Sequence, residues 1–458
     1  MNLETTTQRI WSGNKLMIKT IVIGFIILIL QIPTAYVESL IIDREQRQND
    51  AINEVSSKWA SKQDITGPII VLPYWDNSES IANTKQKHYA YFLPDELNIS
   101  SSVMPMEKYR GIYKVMLYTS AINLTASFSS ISLEKLLIDS GNVIWNEAFV
   151  KLNITDTKGL NEELKLKYNN QWLVFSPQAS ESKGTADALV APLHISKLED
   201  LKSISFSGNI SLNGSQELLF TPIGRSTTVS INSKWPHPSF TGNSLPQTTS
   251  ISNNGFTASW KSLAHKRAYP QQWKDDAYFI ADNNEISNKY ANQAAPANNI
   301  TTSSFGADLF IPVNAYQKTN RSVKYALLCI LLTFAAFFLI ETTNKKSIHP
   351  FQYGLIGIAL VLFYTLLLSF SEYIGFNLSY LVASVATVIL IAWFVKGILA
   401  LTKLTLLLSV ILTLIYSYIF TILQLQDYSL LLGSVGLFIT LAIIMHYSKK
   451  IHWSPATN

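Results

Sequence analysis

The sequence predicts an α+β membrane protein: six transmembrane helices, with a large antiparallel β-sandwich-like domain between helices 1 and 2. Three observations carry that reading. Residues 323 to 447 are almost continuously apolar, whereas 43 to 321 have the polarity of a water-soluble domain. Only 15% of the 458 residues are charged, against about 25% in a typical soluble protein. Between the apolar blocks, period-two alternation and turn residues outnumber helical patterns.

The first apolar run, "LMIKTIVIGFIILILQIPTAYV" over 16–37, follows Lys15 and holds Lys19 near its start. It is long, and no small-x-small cleavage site follows Pro33, Thr34 and Ala35, so it reads as an anchor that is retained. Five more runs lie at about 323–340, 353–370, 378–395, 404–423 and 428–447. At ~1.5 Å per residue each can cross roughly 30 Å of hydrocarbon. Tyr325, Tyr353, Tyr380, Trp393, Tyr428 and Tyr447 sit near their ends, where interfacial aromatics belong.

Basic residues collect on one side: Arg9, Lys15 and Lys19, then Lys345 and Lys346, Lys396 and Lys403, Lys449 and Lys450. The short loops on the other side, 371–377 and 424–427, carry Glu372 and Asp427 and no Lys or Arg. The positive-inside bias therefore places 1–15 and 449–458 in the cytoplasm and 38–321 outside, with 322–448 as a five-helix bundle. Arg321 and Lys324 fall on the outer side, but next to a long domain they weigh little.

The outer segment opens with a helical stalk, 38–60, whose Ile41, Ile52, Val55 and Trp59 keep mostly helical spacing. "ITGPIIVLPYW" (65–75) reads as a buried strand, and "KVMLYTSAINLTASF" (114–128) as another. In "SISFSGNISLNGSQELLF" (203–220), Ile204, Phe206, Ile210 and Leu212 share a face, and Asn213-Gly214 signals a tight hairpin before Leu218 and Phe220. "SLEKLLIDS" (132–140) is the clearest helical pattern, and 283–304 reads as a solvated loop. Cys329 is the one cysteine, so the outer domain must rely on its core without disulfides.

No catalytic or metal-binding constellation accompanies these elements. The seven histidines lack metal-ligand spacing, and HExxH, GxSxG and GxGxxG are absent, so neither a cofactor nor enzyme activity is expected. The net charge of +5 is spread without a run of like charges, which argues against a nucleic-acid partner. In "SKWPHPSFTG" (233–242), Pro236 and Pro238 fix two φ angles and bias Trp235 and His237 toward extended backbone. This stiff segment makes Trp235, His237 and Phe240 candidates for partner recognition. Arg225 in "TPIGRST" (221–227) is a further candidate, set against its plainer reading as an exposed strand charge beside a turn. Within the bundle the polar candidates are Glu341, Glu372 and Asp427, all near helix ends. The helix centres carry no ionisable residue, which argues against an ion-coupled pump. Glycines one turn apart in "GLIG" (354–357) and "GSVG" (433–436) signal close helix packing.

"ITGPIIVLPY" (65–74), "FTPIGRST" (220–227), "SKWPHPSFTGNSLP" (233–246), "RSVKYALLCILLTFAAFFLIE" (321–341), "QYGLIGIALVLFYTLLLSFSEYIGF" (352–376) and "LQDYSLLLGSVGLFITLAIIMHYSKKIHW" (425–453) together resemble the CreD family of bacterial inner-membrane proteins. The likeness runs from the anchor to the C-terminus. It departs from the family pattern at Tyr373, where histidine is favoured, and at Cys329, a position often held by phenylalanine. The resemblance implies an envelope-integrity protein under the Cre two-component system, associated with altered sensitivity to colicins and cell-wall-active antibiotics, with no established catalytic residues. It makes residues 38–321 periplasmic and the partners a lipid bilayer together with envelope proteins or cell-wall components. Two other functions compete with it: a transporter or flippase-like protein using the bundle as a path, and a periplasmic hydrolase using His237.

Overall fold

A computed structural model describes residues 15–76, 86–129, 131–178, 188–280, 298–309, 315–344, 347–399, 401–425 and 429–448. The chain divides into two compact units, one formed by 50–312 and the other by 1–49 with 313–458.

Helix α1 (Lys15–Trp59) holds both the anchor and the predicted stalk, with Pro33 inside it. The remaining helices are α2 (Ala315–Lys324), α3 (Ala326–Thr343), α4 (Pro350–Ile374), α5 (Phe376–Leu399), α6 (Thr402–Gln424) and α7 (Ser429–Ser448). Among the described residues five helices are long and apolar enough to cross a membrane: α1, α3, α4, α5 and α6. The expected sixth run, 428–447, forms α7 but does not enter that count, and part of its side chains lie outside the described residues. The expected span 323–340 is displaced to α3, because α2 ends at Lys324 and Tyr325 leaves helical geometry (φ −90°, ψ 4°). Apolar residues such as Leu28, Ile32, Trp393 and Leu406 stay exposed on the helix surfaces, the pattern lipid contact favours.

The unit 50–312 is built from strands. The first nine are β1 (Gln63–Asp76), β2 (Gln86–Phe92), β3 (Glu96–Arg110), β4 (Tyr113–Phe128), β5 (Phe149–Ile154), β6 (Lys165–Tyr168), β7 (Gln171–Val174), β8 (Ser176–Gln178) and β9 (Ala188–Pro192). The rest are β10 (Ile204–Ser215), β11 (Glu217–Phe220), β12 (Ser226–Ser233), β13 (Ser239–Gly242), β14 (Thr248–Ser252), β15 (Gly255–Leu263), β16 (Gln272–Lys274) and β17 (Phe305–Asp308). Among the described residues they form two sheets. One runs β13-β17-β11-β1-β5-β9-β8, with β2 on β1 and β16 on β2; the other runs β14-β15-β12-β3-β4-β10-β6-β7. One contiguous core draws on both, including Ile70 and Val71 from β1, Phe206 from β10, Trp260 from β15 and Phe305 from β17.

The pairing is mostly antiparallel, as expected, but two pairs are parallel: β1 with β11 and β12 with β3. Each joins strands far apart in the chain, and parallel neighbours need such long connections. The predicted Asn213-Gly214 hairpin does not form. β10 pairs with β4 from Ile204↔Phe128 through Ser215↔Leu117, and the chain then turns at Gln216 (φ 60°) into the other sheet. Gly214 serves space instead, since a Cβ there would lie 2.3 Å from Tyr118 Oη. The helical pattern at 132–140 yields only a single 3₁₀ turn, Glu134–Leu136, because Leu137 turns left-handed (φ 53°). Within the expected loop 283–304, residues 283–297 lie outside the described set, while Ile300–Ser303 form a buried 3₁₀ turn.

Candidate functional site

The stiff segment 233–242 leaves β12 and ends in β13, which pairs with β17. Trp235 is buried, and its Nε1–H donates to the His237 carbonyl at 3.0 Å, closing a tight turn over Pro236. Phe240 is half-buried, with ring centroids 5.8 Å from Phe256 and 5.7 Å from Trp260. Of the three recognition candidates only His237 is exposed. Arg225 Nε donates to Asp95 Oδ1 at 2.9 Å, and its backbone N–H donates to the Pro94 carbonyl at 2.9 Å. That geometry ties β12 to the approach of β3.

In the unit formed by 1–49 and 313–458, Glu341 is 6% exposed in the last turn of α3. Its Oε2 accepts from Tyr353 Oη at 2.8 Å and its Oε1 from the Ile348 backbone N–H at 3.0 Å. The Lys19 ammonium pairs with the same Oε1 and also donates to the Ile348 carbonyl at 2.6 Å. A buried charge is tolerated when it is paired and its remaining lone pairs are filled, which is the arrangement here. Glu372, near the end of α4, accepts from Tyr316 Oη at 3.1 Å and has Arg44 Nε at 3.8 Å. Tyr353 and Glu372 lie about 28 Å apart along α4, so the two carboxylates mark opposite ends of the bundle. Asp427 lies outside the described residues. The Lys19–Glu341 pairing escaped the sequence reading. Its signal was a lysine inside one apolar run and a glutamate at the end of another, on the same predicted side of the membrane.

A second arrangement has no sequence signal, because its members are scattered. Asp275 (φ 50°) accepts from the Tyr89 N–H at 3.0 Å through Oδ1 and meets His88 Nδ1 at 2.9 Å through Oδ2, clamping β16 to β2. Tyr91 stacks on Trp273 at 5.4 Å. Burial, then the Asp276 and Asp275 carboxylates, push the Tyr91 phenol up to about 12. Burial likewise lowers the Lys151 ammonium below its usual range, an effect partly offset by Asp276. No group of three His, Cys, Asp or Glu side chains suited to a metal ion occurs among the described residues.

The family of inner membrane protein CreD matches residues 15–454. This chain belongs to the CreD family. The inner membrane protein CreD of Escherichia coli (strain K12) is 28% identical over 438 residues, covering 93% of this chain and 91% of that protein. Among solved structures, the M1 zinc metallopeptidase from Deinococcus radiodurans aligns at 12% identity over 37% of this chain and 38% of its own. Its TM-score is 0.20, which carries no argument.

Three of the segments that carry the CreD resemblance meet at one place in the fold. Thr66 from β1 and Thr221 after β11 bring their hydroxyls to 2.6 Å, and Thr221 donates to Asp64 Oδ1 at 3.2 Å. Ser304, just before β17, donates to Asp64 Oδ2 at 2.7 Å. Gly242 (φ 95°), in the third segment, lies against the Ser304 carbonyl, where a Cβ would sit 2.2 Å from the oxygen. A filled hydroxyl–carboxylate network of this kind fixes a unique packing. These segments thus position backbone at this junction.

Proposed function

We propose that this chain supports the integrity of the cell envelope as a non-catalytic protein of the inner membrane. On this reading it has six spans and cytoplasmic termini, and residues 38–321 form a periplasmic two-sheet sandwich that binds an envelope protein or wall component. One observation carries the reading: a strand-built unit with its own large core, 50–312, interrupts an otherwise apolar chain. The bias of basic residues supports its side of the membrane. Trp235, Arg225 and Phe240 hold backbone or core, which leaves His237 as the exposed contact of this region.

Deleting the gene should raise sensitivity to detergents and wall-active antibiotics, and the full chain should restore tolerance. Restoration by the helices alone, without 50–312, overturns the role given to the outer domain. Transport along the bundle is the competing function, favoured by the buried charge at Glu341. It predicts substrate flux into vesicles that falls in Glu341→Gln or Glu372→Gln. A hydrolase would instead lose function in His237→Ala while staying folded and abundant.

A further inference from the structure

A cavity of about 650 Å³ opens beside the Lys19–Glu341 pair, bounded by α1, the start of α4 and the end of α5. Its polar lining consists of Lys19, Ser347, His349 and Gln352. The hydrogen bonds already made by these side chains determine what they still offer. The Lys19 ammonium has three protons; one goes to Glu341 and one to the Ile348 carbonyl, leaving a third. His349 Nδ1 accepts from the Phe351 N–H at 3.2 Å, so a neutral ring carries its proton on Nε2. Gln352 uses its Oε1 to accept from the His349 N–H at 3.0 Å, which leaves its NH₂ group as donor. Ser347 adds a hydroxyl. Glu341, the neighbouring carboxylate, has both oxygens engaged. Among the described residues the cavity therefore offers donors and no free carboxylate, the chemistry that selects an anion.

Depth selects the kind of anion. Lys19 is the fourth residue of the apolar run 16–37, and Glu341 lies two residues before the end of α3, so the cavity sits at the level of lipid headgroups. Ile18 and Val22 on α1 give it an apolar wall that a free phosphate has no use for. We propose that this cavity holds the phosphate of an anionic phospholipid from the leaflet at the Lys19 end of the bundle, its acyl chains lying along α1. Basic pockets between membrane helices recognise such headgroups.

The test uses the full chain in an uncharged detergent, with binding of phosphatidylglycerol and phosphatidylcholine measured by native mass spectrometry. Phosphatidylglycerol should bind at least about fivefold more tightly. Gly397 also lines the cavity, and a Cβ there meets nothing within 4 Å, so Gly397→Asp adds a negative charge without a clash. It should abolish the preference, as should Ser347→Asp, while Gly397→Asn and Ser347→Asn retain it. Equal binding of the two lipids by the unaltered chain overturns the proposal. So does an unchanged preference in both aspartate variants, or displacement of the lipid by millimolar glycerol 3-phosphate, which would assign the cavity to a soluble anion.

Discussion

Two partly buried lysines show how differently one residue type is treated in this chain. Lys19 has a carboxylate and a carbonyl to receive it; Lys151 on β5 has no ion pair among the described residues, and Asp276 offsets its burial only in part. Burial lowers the Lys151 pKa from its ordinary 10.5, so the charged form weakens the folded state. For a lysine lowered in this way the penalty is full below its folded pKa and fades as pH rises through that value toward 10.5. Lys151→Met should therefore raise the melting temperature near neutral pH, with the gain shrinking in alkaline buffer. A gain that is constant with pH would show that packing rather than charge is responsible. Neither lysine announced its environment in the sequence, because burial depends on strands or helices brought together from far along the chain. Arg225 differs again: it lies in the bend just before β12, where it pairs with Asp95.

At the scale of the element, the glycine pairs one turn apart separate into one working member and one idle one. A Cβ at Gly357 would lie 2.1 Å from Leu30 Cδ1 and 3.1 Å from Phe334 Cζ, whereas Gly354 has nothing within 4 Å. In α7, Gly436 lies against Tyr418 while Gly433 is open. Gly357→Leu should cost about 1–3 kcal/mol by forcing α1 and α4 apart. Gly354→Ala should gain up to about 1 kcal/mol of helix propensity. Thermal unfolding of the detergent-solubilised protein checks both, and an equal effect at the two sites would contradict the packing described. Spacing predicted close approach but not which glycine makes it, since that depends on the facing helix. Strand signals behaved similarly. The runs at 65–75 and 114–128 were legible from β-branched and aromatic content, and they appear as β1 and β4. The Asn213-Gly214 signal failed because it is local. β10 has a better use for those residues in its long pairing with β4, where Asn213 Oδ1 accepts from Thr119 at 2.8 Å.

For the whole molecule, hydropathy made the division between an apolar helical part and a strand-rich part readable without any tertiary knowledge. The allocation of strands to two sheets was not readable, because the chain switches sheets at single residues such as Gln216. The core of the unit 50–312 is supplied wholly by residues between Ile65 and Leu309. That segment, expressed without the membrane helices, should therefore fold and melt cooperatively in water. A fragment with no cooperative transition by circular dichroism would show that the helices are required. The central place of β1 in its sheet also has a consequence for how the chain is made. Synthesis delivers β1 first, with Ile69, Ile70, Val71 and Leu72 all destined for full burial. Its partner β2 follows at once, but β5, which covers the other edge from Ile65 to Val71, begins only at Phe149. Until then the newborn polypeptide presents an incomplete, strongly apolar sheet edge, the form most prone to aggregation. Exposure of that edge thus ends with the synthesis of β5, well before β11 joins the sheet.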